Sequence, residues 1–162
     1  MAEENQAGAD RRLSIVKIYI KDMSFESPQS PGIFRSDDWK PNINLNLRSA
    51  WAPVEGDLYE VVLTATIEAK DRDSDKVLFL AEIHQGGIFE IAGYEKDEIS
   101  ALTGSFCPNV LFPYAREAAA SIIQKGGFPE FVLQPINFDA LYLKQLQAKQ
   151  AEAGKAQAAA AE

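Results

Sequence analysis

The chain has 162 residues, 46% hydrophobic and 25% charged, a balance that fits one folded domain and excludes a disordered chain. Asp and Glu number 24 against 16 Lys and Arg, a formal charge of −8 with no basic cluster, so a nucleic-acid partner is disfavoured and cationic polypeptides are attracted. Cys107 is the single cysteine, which excludes an internal disulfide and a cysteine metal cluster; with an acidic start (Met1 to Gln6) and no apolar run near the ~20 residues of a membrane span, the chain reads as cytoplasmic.

The first element is a strand from Leu13 to Glu26, rich in β-branched residues. Plain alternation puts Val16, Ile18 and Ile20 on one face, continuing into Asp22, Ser24 and Glu26, with Tyr19, Met23 and Phe25 on the other. Pro28, Pro31 and Gly32 end it, and a loop runs through Trp39. Asn42 to Leu47 alternates strictly, with Ile43, Leu45 and Leu47 opposite three asparagines. A third strand presents Tyr59, Val61, Leu63, Ala65 and Ile67. The charged stretch Lys70 to Lys76 suits a hairpin, and a fourth strand runs from Val77 to about Ile91, where Gly86-Gly87 suggests a bulge or a close backbone approach. Short connections make the sheet antiparallel.

Helical character follows, over about 95–102 with acids in the first turn, then over about 109–125, with Pro113 as a kink or a start and Gly126-Gly127 as the stop. Residues 128–138 read as extended, and a last helix covers about 139–148. The alanine-rich end has helix propensity but no large apolar face and is expected to fray. The organisation is thus a flexible segment 1–12, a domain 13–147 and a flexible tail 148–162.

Catalytic chemistry is thin. His84 has no HExxH or cysteine beside it and Cys107 no activating motif, so both read as structural; the glycine pairs lack a phosphate-binding context. No catalytic, metal or cofactor residue is nominated. The aromatic residues Phe34, Trp39, Trp51, Phe106, Phe112, Tyr114, Phe128, Phe131 and Phe138 either fill the core or line a groove.

From about Ile15 to Leu146 the sequence resembles the bacterial SecB family of export chaperones. The most specific runs are Lys21 to Glu26, Tyr59 to Leu63, Gln85 to Phe89, Cys107 to Glu117 and Pro135 to Leu141. The resemblance implies an α+β fold, a four-stranded antiparallel sheet with helices on one face, assembled as a dimer of dimers. It implies ATP-independent binding of unfolded precursor proteins, held translocation-competent and delivered to the SecA motor, with no enzyme activity and no cofactor. By position it assigns SecA docking to Asp22, Glu26, Leu80 and Glu82, and suggests Trp39, Ile43, Leu45, Leu47, Tyr114 and Phe138 for clients. Asp22 and Glu26, four apart in a strand, would share a face about 13 Å apart. The tail has no alignable counterpart of the second SecA contact made by relatives, and Ala81 stands where relatives often carry cysteine. Two alternatives stay open: a SecB-like chaperone dedicated to one client such as an antitoxin, and a thioesterase-like enzyme.

Overall fold

The computed structural model describes residues 10–161. Four strands, β1 (Arg12–Glu26), β2 (Pro41–Glu55), β3 (Leu58–Asp71) and β4 (Val77–Ala92), form one antiparallel sheet in the order β1-β4-β3-β2. The helices α1 (Lys96–Ala101), α2 (Cys107–Lys125) and α3 (Phe138–Ala160) follow. This is the α+β arrangement expected, with β1 and β2 as the two edges.

Burial in β4 alternates: Phe79, Ala81, Ile83, Gln85, Phe89 and Ile91 are buried, while Leu80, Glu82, His84 and Glu90 are only partly covered. The odd residues face α2, whose Cys107, Leu111, Ala115, Ala119 and Ile123 recur every four residues and so occupy one stripe. Alanines 115 and 119 let that helix lie close on the sheet. Each large apolar side chain buried there contributes about 1.5–3 kcal/mol. Gly87 is required by this approach, since a Cβ would sit 2.9 Å from Leu111 Cδ2.

β1 departs from plain alternation. The register advances by two on β1 and one on β4 at Ile15/Lys17 and again at Ile20/Asp22, leaving Val16 and Lys21 as extra residues. Each bulge reverses the parity of the strand. Ile18 and Ile20, opposite Gly87 and Gln85, therefore share the helix side with Met23 and Phe25, opposite Ile83 and Ala81. Ile18 and Ile20 do not lie on the face of Asp22, Ser24 and Glu26 as simple alternation had them. No bulge falls at Gly86-Gly87, where β4 pairs regularly with both neighbours; Gly86 instead makes room for Tyr19, whose ring would lie 2.4 Å from an added Cβ.

The helical stretch is also more continuous than its residues suggest. α1, opened by a capping box between Glu95 and Glu98, passes through a π-helical turn (Leu102–Phe106) directly into α2. The wide turn suits Pro108, which has no N–H for a regular bond to Gly104. Pro113 lies inside α2 and frees the carbonyl of Asn109, at an exposed position where water reaches it. α2 stops at Gly126, and Gly127 takes φ +90° in the left-handed region as the chain crosses the ring of Phe34. α3 starts where Asn137 Oδ1 accepts from Ala140 N at 3.0 Å. It continues to Ala160, twelve residues beyond the expected end at Ala148, because Ala, Gln, Lys and Glu favour helix; every residue from Leu143 to Ala160 is exposed.

Candidate functional site

The register places three cross-strand rows on the sheet face turned away from the helices. They are Asp22, His84, Thr64 and Arg48; then Ser24, Glu82, Thr66 and Asn46; then Glu26, Leu80, Glu68 and Asn44. Directly opposed residues in an antiparallel sheet point to the same side. Asp22, Glu26, Leu80 and Glu82 are thus brought together on adjacent strands. The bulge at Lys21 turns Asp22 and Glu26 outward while Ile20 stays inward.

The three acids differ in how firmly they are held. Glu82 Oε1 lies 2.6 Å from His84 Nε2, and Thr66 Oγ1 donates to Glu82 Oε2 at 3.2 Å. Thr64 Oγ1 is 3.1 Å from His84 Nδ1. The hydrogen bond from His84 is the main reason the Glu82 carboxyl is held below the usual range; the bond from Thr66 adds to it, as do the fields of His84 and Arg48. Asp22 accepts only from the neighbouring amide, Met23 N, at 3.0 Å. Sequence reasoning left His84 as a structural residue; its i,i+2 spacing from Glu82 on one strand face was the available signal.

Next to these rows, Tyr19 donates to Glu60, and Lys21 Nζ reaches Glu60 Oε1 at 2.6 Å. The bonds from Lys21 and Tyr19 hold the Glu60 carboxyl below its ordinary range, and burial with Glu60 alongside pushes the Tyr19 phenol up to about 12. Ile88 and Val62 lie on this face beside Gly86, so apolar residues do occur on both sides of the sheet, though not at Ile18 and Ile20.

The second set lies on the helix side. Ile43, Leu45 and Leu47 on the edge strand β2 oppose the buried Ala69, Ile67 and Ala65 and are partly covered. Trp39 packs edge-on against Phe128, with centroids 5.7 Å apart. Phe128 is the hub of an aromatic cluster that sequence reading did not assemble: Phe79 at 4.9 Å, Phe34 at 5.4 Å and Phe25 at 6.3 Å surround it. Two suggested client residues stand differently. Phe138 is 5% exposed and packs on Phe112 at 5.5 Å, which makes it core under the surface; a hydrophobic residue opening a helix beside Pro135 does not reveal that in sequence. Tyr114 is 50% exposed, outside the buried stripe of α2. α3 also covers part of the strip, as Leu141 and Tyr142 line a crevice with Leu47 and Leu63, and Tyr142 lies over Gly104.

Catalytic geometry does not gather around Cys107. Its thiol is buried and pushed up to about 12 by desolvation, the opposite of nucleophile activation. No group of His, Cys, Asp and Glu among the described residues has metal-site geometry, and no helix there is long and apolar enough to cross a membrane.

Comparison with known proteins agrees with this architecture. The family model for preprotein translocase subunit SecB matches residues 5–149. The protein-export protein SecB of Methylococcus capsulatus is 48% identical over 153 residues, 94% of this chain and 96% of the relative. That of Ectopseudomonas mendocina is 45% identical over 164 aligned positions, covering 98% and 99%. Among solved structures, a Mycobacterium tuberculosis SecB-like chaperone in complex with an antitoxin peptide superposes with a TM-score of 0.65 at 14% identity, covering 77% of this chain and 91% of that one, a likeness of fold. The matched span takes in the whole sheet, α1, the sheet-covering α2 and the start of α3, and so the chain belongs to the SecB family of protein-export proteins.

Proposed function

We propose that this chain is an ATP-independent export chaperone of the cytoplasm that captures unfolded precursor proteins on the helix side of its sheet, keeps them translocation-competent and passes them to SecA through the opposite face. One observation carries the hand-over: Asp22, Glu26, Leu80 and Glu82 lie in neighbouring positions on two paired strands and share one face, Asp22 and Glu26 exposed and Leu80 and Glu82 partly so. A charged platform of this kind steers a basic partner and fixes its orientation. Its work is binding, with no chemical step. Ile43, Leu45 and Leu47 with Trp39 give several modest anchors. At about 1.5–3 kcal/mol each before ordering costs, three or four such anchors reach micromolar affinity, about −8 kcal/mol, for any sufficiently apolar extended segment.

A homotetramer built as a dimer of dimers is supported by β1, an unpaired edge whose Ile15, Val16, Ile20 and Met23 are each about half exposed. The test is a double dissociation. Glu26→Lys and Asp22→Lys lose SecA binding by at least tenfold and keep capture of an unfolded protein, whereas Leu45→Asp loses capture and keeps SecA binding. SecA affinity insensitive to both reversals and to salt between 0.1 and 1 M, where the Debye length falls from about 10 to 3 Å, refutes the platform. A chaperone dedicated to an antitoxin, or to another single client, is the outcome signalled by tight capture of that client with no SecA binding.

A further inference from the structure

His84 is the chain's single histidine, and it stands in the middle of the acidic face. Its two ring nitrogens are both engaged, Nε2 with Glu82 Oε1 at 2.6 Å and Nδ1 with Thr64 Oγ1 at 3.1 Å. A carboxylate only accepts, so the Nε2 hydrogen is directed at Glu82; in the neutral ring Nδ1 then accepts from the Thr64 hydroxyl. Thr66 holds the other carboxylate oxygen at 3.2 Å. Four side chains from β3 and β4 therefore form a closed line, Thr64, His84, Glu82, Thr66. The other charged groups facing His84 are Asp22, directly across on β1, and Arg48 on β2 beyond Thr64. Lys21, in the adjacent bulge, is occupied by Glu60.

We propose that His84 is the positioning residue of the SecA-docking face, holding the Glu82 carboxylate in one orientation so that it meets a partner's cation already ordered. The inference rests on the docking role proposed above for this face. A carboxylate has about four lone-pair sites. His84 and Thr66 take two of them, and the side chain is 36% exposed, so acceptor capacity remains for a lysine or arginine from outside. Asp22 and Glu26 have no side-chain partner among the described residues, so each must lose rotamer freedom on binding, which Glu82 has lost beforehand. The division of labour follows. Asp22 and Glu26 supply attraction and on-rate, while Glu82 supplies a preset contact and residence time.

The test uses the full chain with SecA and the variants His84→Leu, His84→Gln and Thr64→Val. His84→Leu keeps all three carboxylates of the face, so the on-rate and its salt dependence stay close to those of the native protein, while the off-rate rises about three- to tenfold. His84→Gln restores a donor at similar reach and returns the off-rate to within twofold; Thr64→Val, which frees the ring, falls between. Carbon-detected NMR titration of Glu82 supplies a readout independent of SecA: its carboxyl moves up toward the ordinary glutamate range in His84→Leu and stays lowered in His84→Gln. An unmoved Glu82 titration overturns the positioning role, as does a freed Glu82 with an unchanged off-rate. Native protein that fails to bind SecA sinks the docking face and this inference together; native binding matched by all three variants sinks this inference alone.

Discussion

Phe128 offers a direct test of how the apolar side of the molecule is built. It is 4% exposed and contacts four aromatic rings, Phe25, Phe34, Phe79 and Trp39, at centroid separations of 4.9 to 6.3 Å. Phe128→Ala removes the ring that joins β1, β4, the Trp39 loop and the end of α2. The loss of transfer energy and the cavity left behind together cost about 3–5 kcal/mol. Phe128→Leu keeps most of the volume and costs about 1–1.5 kcal/mol. With a urea slope of about 2 kcal/mol per M, the alanine variant unfolds about 2 M earlier. Both proteins are compared at one chain concentration, because self-association raises apparent stability. Trp39 provides a second readout. In a Trp51→Phe background its emission shifts to the red in Phe128→Ala, since the ring shielding it at 5.7 Å is gone. A loss below about 1 kcal/mol with unshifted emission would refute the reasoning, because no well-packed hub then exists.

Cys107, whose thiol burial pushes up to about 12, resists iodoacetamide at pH 8 in the native protein and reacts on unfolding in urea; fast labelling of the native chain, followed by mass spectrometry, contradicts its buried placement. Deleting residues 148–162 changes the urea midpoint by less than the equivalent of about 0.5 kcal/mol, because every described residue of that stretch is exposed; a larger drop shows that the end of α3 packs on something. The Glu60 carboxyl is lowered by Lys21 and Tyr19, so its contribution is present above the ordinary value of 4.5 and disappears as pH falls through that value and below it; Glu60→Gln flattens the stability profile over that acid range, and an unchanged acid limb counts against the cluster.

Much of the architecture was legible from local pattern. The alternation of Ile43, Leu45 and Leu47 with asparagines set the faces of β2, the charged run Lys70 to Lys76 marked the β3–β4 connection, and Gly126-Gly127 marked the end of α2. Each of these signals depends on neighbours a few residues away, so each survives without knowledge of the rest of the chain. The docking set was reached through resemblance to a family; plain alternation alone put Ile18, Ile20, Asp22 and Glu26 on one face of β1.

Tertiary structure decided what local pattern left open. The bulges at Val16 and Lys21 let β1 pair with β4 while turning both Ile18 and Phe25 to the core, and nothing in five or six residues of β1 states that constraint. The helix runs through Gly104 and Pro108 because a wide turn and the Tyr142 ring over Gly104 accommodate residues that would break an isolated helix. Phe138 became core and Trp39 became a neighbour of Phe128 through contacts made across long stretches of sequence. His84 and Glu82 are two residues apart, but the threonines that complete their line come from β3, and only cross-strand register brings those hydroxyls alongside. The sequence by itself thus determined which segments are strands and helices, since that depends on short-range periodicity. The sheet's pairing determined which side chains meet, since that depends on distant segments burying their apolar faces together.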